Sequence, residues 1–362
     1  MLLSGSTTKT APSKNVVSEK LNKSLRERRS ILYLSDTTGS SIVFDSADWY
    51  YDFNIKKDNK EQPNTSEINI YGVSQKTIKK IEDNSVYAVL YAGYGDSLQI
   101  ILSGVISDVF ASKSGVDSVV TISSQEGANS YRTAFINKSY KAGTSVKEIL
   151  NDLISQYGCS GTDIKDVPED LKFQNGRTLT GLVNKHLREI CNYANLEYSV
   201  QGDVLQVHAK NGYNGKDCYL VDVETGLIGS PQRKRKKKRK AKTDVDAESS
   251  DSAFMVNLET LLNPNFIPST ILKVKSKYLD DYYVIREVTF SGSASVLSNS
   301  AGFTCSIVAE NIRDIDNTDT ITKTVTVANN TKPPIPKNKP EQVKTTHINT
   351  DTSKYNTASK IF

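Results

Sequence analysis

Strict alternation of apolar and polar side chains between Trp49 and Lys56 is the feature that most limits how this chain can fold. Large apolar residues occupy every second position, and polar or charged residues stand between them. Only an extended strand places alternate side chains on opposite faces, so the segment is predicted to be a β-strand with one buried face. Short strands separated by turns are typical of β-barrels and β-sandwiches. Further strands are predicted at Ile68–Ile70, Val86–Leu90, Leu98–Ser103, Val105–Ala111 and Val116–Ser123.

A region with helical periodicity, residues 131–217, interrupts the strands. Ser145–Glu148 is a capping box, which predicts the start of a helix that ends at Gly158. A second apolar stripe predicts a helix over Leu179–Ala194, and a hairpin is predicted over Leu196–His208. This region is therefore expected to be a small α+β module.

Strand patterns return from Cys218 to residue 312. Strands are predicted over Tyr219–Val221, Ile271–Lys275, Tyr282–Phe290 and Phe303–Ala309. The third of these is predicted to place four apolar side chains on one face, those of Tyr282, Val284, Val288 and Phe290.

The sequence therefore predicts a mainly β protein with a small α+β insert domain. The predicted parts are a flexible N-terminal arm at 1–30, a first β domain at 31–130, the insert domain at 131–217, a second β domain at 218–312 with a basic loop at 231–252, and an extended C-terminal tail at 313–362. Within the tail, Ile321–Val327 has the alternation of a strand.

The net charge of +5 is concentrated in one stretch. Nine basic and four acidic residues lie between Arg233 and Asp251, so the rest of the chain is neutral. Proteins that bind nucleic acid through their fold carry a basic face rather than one basic loop. The run is open to three interpretations: a solvated loop, a contact with an acidic protein partner, or a nucleic-acid contact. It consists of Arg233, Lys234, Arg235, Lys236, Lys237, Lys238, Arg239 and Lys240.

The sequence predicts no catalytic site, metal site or cofactor. His186 lies on an apolar stripe, which favours a buried, hydrogen-bonded histidine, and neither His208 nor His347 stands at a metal-binding spacing from it. The four cysteines are far apart and are interpreted as reduced, in a chain made in the cytosol. We expect no secretion signal, since the N-terminus from Met1 to Ser4 opens no apolar region of the kind a signal peptide needs. We expect no membrane anchor, since no apolar run approaches the ~20 residues that cross a bilayer.

Five groups of residues follow one another in a distinctive order: Asn69–Ser74 with Tyr91–Tyr94; Leu102–Ile106 with Gly115–Asp117; Tyr140–Ser145; Gly226–Pro231 with Leu261–Asn265; and Tyr283–Val288 with Ser291–Gly292. In this order they resemble the baseplate hub proteins of contractile-tailed bacteriophages, a family that includes phage late-control proteins. The chain departs from that family at two places: the basic run follows Gly229–Pro231, where relatives have a modest polar loop, and Phe290–Ser293 stands where relatives have a His-Ser-Gly-Asp-like turn.

The resemblance implies two β-barrel domains akin to tail-tube subunits, one on each side of the insert domain. It further implies a homotrimer whose six barrels form a ring that joins the sixfold tail tube to the threefold central spike. The ring would leave a channel for the tape-measure protein and for DNA in passage. The basic run and Asn263, Pro264 and Asn265 are then the residues expected to contact partner proteins.

By this resemblance the protein is expected in the virion tail, at the baseplate, after synthesis in the cytoplasm of the host bacterium. Its expected partners are the tube, spike, tape-measure and other baseplate proteins. Two alternatives stay open: the hub of a tailocin or secretion-type injection machine, and a tail-tip enzyme that degrades peptidoglycan.

Overall fold

The computed structural model describes residues 28–95, 97–114, 117–213, 218–235, 254–293 and 302–312. These residues form a mainly β structure, as predicted, but the two barrels implied by the resemblance are not closed within the described residues. The arm was predicted three residues too long, because Arg28–Ser30 begin the first strand and pair with residues 92–94. Residues 1–27, most of the basic loop and the predicted tail strand Ile321–Val327 lie outside the described residues.

From Tyr51 onward the first group of strands agrees with the alternation in the sequence, whereas the two strands before it were not predicted. The strand predicted from Trp49 begins two residues later, and its alternate residues Tyr51, Phe53, Ile55 and Lys57 point into the core. Ser74 caps the short helix, because its side chain accepts a hydrogen bond from the Thr77 N–H. The elements are β1 Arg28–Ser35, β2 Ser41–Asp45, β3 Tyr51–Asp58, β4 Thr65–Tyr71, α1 Gln75–Asn84, β5 Tyr87–Tyr94, β6 Ser97–Ser114 and β7 Asp117–Gln125.

One boundary in this first group was predicted wrongly. Two strands were expected on either side of Gly104, but β6 is continuous through it. A Cβ at Gly104 would lie 2.9 Å from the Gln125 carbonyl oxygen, so the glycine permits close backbone approach there.

The middle region is an α+β module with more strand than the sequence suggested. Ser145 caps its helix by accepting a hydrogen bond from the Glu148 N–H, as predicted, and Gly158 ends that helix in a left-handed conformation. The prediction of helix from Leu179 was wrong, because Leu179 and Leu182 lie in a strand. The elements are α2 Ala128–Thr133, β8 Phe135–Tyr140, α3 Val146–Tyr157, β9 Gly161–Ile164, β10 Arg177–Leu182, α4 Val183–Tyr193, β11 Leu196–Gln201 and β12 Val204–Ala209.

The final group of strands contains a β-bulge that changes which residues face the core. The register of the long strand shifts between Ile285 and Glu287, so Arg286 is an extra residue. Tyr283 and Ile285 therefore join the core with Val288 and Phe290, and the prediction that Tyr282 and Val284 share that face was wrong. The strands are β13 Cys218–Val221, β14 Leu227–Arg235, β15 Phe254–Leu261, β16 Ile271–Lys275, β17 Asp280–Ser293 and β18 Phe303–Asn311.

The strands outside the middle module pair into one sheet. Among the described residues its order is β14-β15-β18-β17-β3-β4-β7-β6-β5-β1-β2, and β13 and β16 extend it beside the start of β17. The pairing of β17 with β3 joins the two groups of strands across more than 200 residues of sequence. Over the described part of the chain this order is open, with β14 at one end and β2 at the other.

Two hydrophobic cores follow from this arrangement. One core lies under the large sheet and includes residues from both groups of strands, such as Phe53, Leu90, Phe290 and Phe303. The other lies between α3, α4 and the hairpin β11–β12 of the middle module. Within the described ranges, no helix has the length and apolar character needed to span a membrane.

Candidate functional site

The basic run begins on an edge strand. Arg233 and Lys234 are exposed on β14, and the Arg233 guanidinium carbon lies 3.7 Å from the centre of the Phe254 ring. Arg235 ends β14, and Lys236–Lys240 lie outside the described residues. The contact of this run with a partner stays a prediction.

Asn263–Asn265, the other predicted contact, forms a half-buried turn that is stabilised from within. The Asn263 side-chain oxygen accepts hydrogen bonds from the backbone and side-chain nitrogens of Asn265, at 3.1 and 3.2 Å. This turn follows Leu261, whereas Arg235 pairs with Phe254 at the opposite end of β15. The structure therefore does not bring the described part of the basic run, Arg233–Arg235, together with this turn.

Two free strand edges bound the part of the sheet that runs from β14 to β6. Among the described strands, β14 pairs only with β15. Strand β5 pairs with β6 only as far as Val105, so residues 108–113, which we call distal β6, pair only with β7 among the described strands. Phe110 on distal β6 is 63% exposed. Each end of this eight-stranded segment thus presents unpaired backbone groups, which are the usual sites of strand pairing between chains.

One face of this segment is polar and partly acidic. Asp52 accepts hydrogen bonds from the Asn69 side-chain nitrogen at 2.9 Å and from the Tyr71 hydroxyl at 2.7 Å. The bond to Asp52 raises the pKa of Tyr71 to about 12, because it favours the protonated phenol. Lys56 and Glu287 form an ion pair at 2.9 Å across the β3–β17 seam. The same face carries Asn54, Glu67, Ser123, Thr289, Ser291, Thr304 and Ser306.

A buried ion pair fixes the middle module to the first group of strands; we call it the Glu126 clamp. The Lys57 ammonium lies 2.9 Å from Glu126 Oε1, and the two side chains are only 4% and 1% exposed. The same carboxylate accepts hydrogen bonds from the Asn64 amide nitrogen at 3.1 Å and the Gly202 N–H at 3.4 Å. The Asn64 nitrogen is also 3.0 Å from the Gln201 side-chain oxygen. The turn of the β11–β12 hairpin is thereby bound to the sheet.

The bulged residue Arg286 makes a second link, the Arg286 clamp. Its guanidinium donates hydrogen bonds to Glu310 at 3.0 Å, to the Gly212 carbonyl at 2.9 Å and to the Asn211 carbonyl. A β-bulge turns a side chain away from the direction that the pleat would give it. The bulge thus aims Arg286 at the segment that follows β12. Its guanidinium also lies 3.6 Å from Glu197 of the middle module.

Next to this clamp, a serine, a histidine and a glutamate lie in a row, as they do in a hydrolytic triad. Ser269 Oγ is 2.8 Å from His208 Nε2, and His208 Nδ1 is 3.5 Å from Glu197 Oε1. Nδ1 is also 3.0 Å from the Ala209 carbonyl, which can only accept, so Nδ1 carries the proton and Nε2 accepts from Ser269. Ser269 has no exposed surface, and its hydroxyl also accepts a hydrogen bond from Asn59 at 3.0 Å. A substrate has no access to this serine in the fold described.

The remaining candidates from the sequence occupy ordinary structural positions. His186 Nε2 donates to the Thr180 carbonyl at 3.2 Å. Cys191 and Cys305 are buried, and desolvation raises the pKa of each thiol to about 12, so neither is a reactive thiolate. The described residues contain no group of three or more potential ligands placed to hold a metal ion.

Only a weak signal for the two clamps is present in the sequence. Lys57 continues the inward-facing series of Tyr51, Phe53 and Ile55, and a charged residue in such a series indicates a buried partner. Glu126 and Arg286 stand in no pattern that distinguishes them from surface charges.

No family model matches the chain, and no curated protein matches its sequence. Similarity appears at the level of the fold. A 43 kDa tail protein of prophage MuSo2 from Shewanella oneidensis aligns with a TM-score of 0.54 and 10% identity, over 77% of this chain and 95% of that one. A tail protein from Neisseria meningitidis MC58 aligns with a TM-score of 0.52 and 11% identity, over 79% and 97%. The chain thus shares its fold with these two tail proteins.

Proposed function

We propose that this chain is the baseplate hub of a phage tail, a trimeric adaptor between the sixfold tail tube and the threefold central spike. The fold shared with two tail proteins supports a structural role in a tail. The hub of a tailocin or of a secretion-type injection machine would need the same geometry, so it is the close variant of this proposal.

The directions of the two free edge strands are the observation that supports head-to-tail pairing of copies in a ring, and the number three comes from the resemblance. Every step from β14 through β15, β18, β17, β3, β4 and β7 to β6 is antiparallel. The first and last strands therefore run in opposite directions. When a second copy is placed beside the first in the same orientation, β14 of one copy lies antiparallel to distal β6 of the other. This is the geometry of normal antiparallel strand pairing. A head-to-tail contact of this kind forms a closed ring when the rotation between copies allows it.

In such a ring, three copies of the eight-stranded segment close one large barrel, in which each half of a chain contributes a tube-like unit. The polar face with Asp52, Glu67 and Glu287 is suited to line an aqueous channel, because its carboxylates do not attract nucleic acid. DNA and the tape-measure protein would pass without being bound. The two clamps would hold the middle module rigidly against the ring.

The remaining partners in this proposal are the tube protein, the spike protein and other baseplate proteins. They would bind the two ends of the ring, since Arg233–Arg235 pair with one end of β15 and Asn263–Asn265 follow its other end. The chain would be made in the host cytoplasm and would function in the virion tail.

A proline scan of distal β6 tests the ring. Successive residues of a strand direct their N–H groups to opposite sides, so Phe110→Pro and Ala111→Pro remove one outward and one inward donor. We expect the variant that loses the inward donor to be destabilised, because that N–H faces β7. The other variant should keep the wild-type unfolding midpoint and lose trimer formation. Light scattering gives the mass, and chemical denaturation gives the stability.

The mass measurement is made on the chain alone and with tube and spike proteins added. A trimer in either condition, lost in the stable proline variant, supports the proposal. A strict monomer that binds neither protein contradicts it, as does a stable proline variant that still forms trimers.

A peptidoglycan hydrolase is the second candidate, because Ser269, His208 and Glu197 are in contact. The complete burial of Ser269 favours a structural role for the three residues. We expect no cleared band from the wild type on peptidoglycan zymography. Ser269→Ala should lower the free energy of unfolding by about 1–3 kcal/mol, because His208 and Asn59 lose a buried partner. A cleared band that disappears in Ser269→Ala would establish the hydrolase instead.

A further inference from the structure

A cleft on the middle module has no part in the proposed ring. It has a volume of about 340 Å³ and is lined by Phe173, Gln174, Asn175, Gly176, Arg177 and Tyr193. Pockets for small ligands measure roughly 300–1,000 Å³, so this cleft suits a ligand of one or two small rings. It lies between the loop that precedes β10 and the end of α4.

An aromatic ring held in a fixed orientation forms one wall of the cleft. Tyr193 stacks on the buried ring of Phe173, with centroids 4.7 Å apart and an angle of 22° between the planes. The Arg177 guanidinium carbon lies 5.1 Å from the Phe173 centroid and further restrains that ring. Tyr193 nevertheless remains 52% exposed. A rigid, open aromatic surface costs little entropy when a flat apolar ligand face stacks on it.

The polar groups around this ring are neutral or neutralised. Gln174 and Asn175 are exposed, and each amide can both donate and accept hydrogen bonds. The Arg177 guanidinium forms an ion pair with Glu189, which neutralises its charge. The cleft therefore offers no net positive charge to attract an anionic ligand. A neutral ligand with an apolar face and several hydroxyl groups fits these features best.

We propose that this cleft binds a neutral sugar ring of a polysaccharide. The C–H face of the sugar would stack on Tyr193, and its hydroxyl groups would hydrogen-bond with Gln174 and Asn175. The middle module would then give the assembled particle a glycan contact outside its channel.

Ligand-observed NMR with the full chain tests this site, using chitotetraose and maltotetraose as neutral probes. We expect saturation transfer to at least one probe from the wild type. Tyr193→Ala should weaken that binding at least about tenfold, because it removes the stacking surface. Gln174→Ala with Asn175→Ala should weaken it as well. All three residues are exposed, so circular dichroism should show an unchanged fold.

Tyr278→Ala is the matched control, since Tyr278 is a 75% exposed tyrosine outside the cleft. Unchanged binding in this variant supports the cleft. The proposal is overturned when neither probe binds the wild type at millimolar concentration, or when Tyr278→Ala and Tyr193→Ala weaken binding equally. Sialyl-lactose is the anionic comparison, and binding of that probe alone would contradict a neutral sugar ligand.

Discussion

Replacing Glu126 with alanine is expected to lower the free energy of unfolding by about 3–5 kcal/mol, because it leaves the buried Lys57 ammonium without a counter-charge. The substitution also removes the acceptor of hydrogen bonds from the Ser103 and Gly202 backbone and the Asn64 amide. Unsatisfied buried donors add to the loss. Chemical denaturation followed by circular dichroism measures the effect.

An exposed ion pair provides the control for this result. Lys147 and Glu169 are 3.1 Å apart, but their side chains are 51% and 80% exposed. Lys147→Ala should therefore lower the free energy of unfolding by less than about 1 kcal/mol. The double variant Lys57→Met with Glu126→Met removes both buried charges and should recover much of the stability lost in Glu126→Ala. Equal losses in Glu126→Ala and Lys147→Ala would show that the clamp does not stabilise the fold.

The sequence predicted local structure well because alternation and capping act over a few residues. Ile271–Lys275 was predicted with its exact bounds, and Ser145 caps the expected helix. Errors arose where a distant partner decides the outcome. Leu179 lies in a strand rather than a helix because Arg177–Leu182 pairs with β8. An apolar residue near a helix start gives no local sign of such a pairing.

The candidate site was harder to predict than the fold. The basic run was visible as a composition feature, yet most of it lies outside the described residues. The Glu126 clamp joins residues 69 apart in sequence, and the Arg286 clamp depends on a bulge that shifts the strand register. Neither the bulge nor the partners of these charges follow from a local pattern. The free edge of distal β6 likewise depends on where β5 stops pairing.

Replacing Gly292 with valine is expected to disrupt the seam between the two groups of strands. Gly292 lies on β17 opposite both Phe53 of β3 and Phe303 of β18, on the face of the core. A Cβ atom there would overlap the Phe53 ring and lie 2.9 Å from the Phe303 ring. The two rings pack edge to face with centroids 6.1 Å apart, and both are buried in the densely packed core. This overpacking should lower the free energy of unfolding by about 1–3 kcal/mol or more, which chemical denaturation measures.

The neighbouring residue separates this steric effect from a general effect of valine in the strand. Ser291 faces the polar side, so Ser291→Val should leave stability unchanged within about 0.5 kcal/mol. Phe53→Leu should lower the free energy of unfolding less in a Gly292→Ala background than in the wild type. The smaller leucine side chain makes room for the methyl group that Gly292→Ala introduces. Since β17 and β3 join the two halves of the proposed barrel, Gly292→Val should also reduce trimer mass in light scattering. Wild-type stability and mass in Gly292→Val would contradict the seam as the structural joint of the subunit.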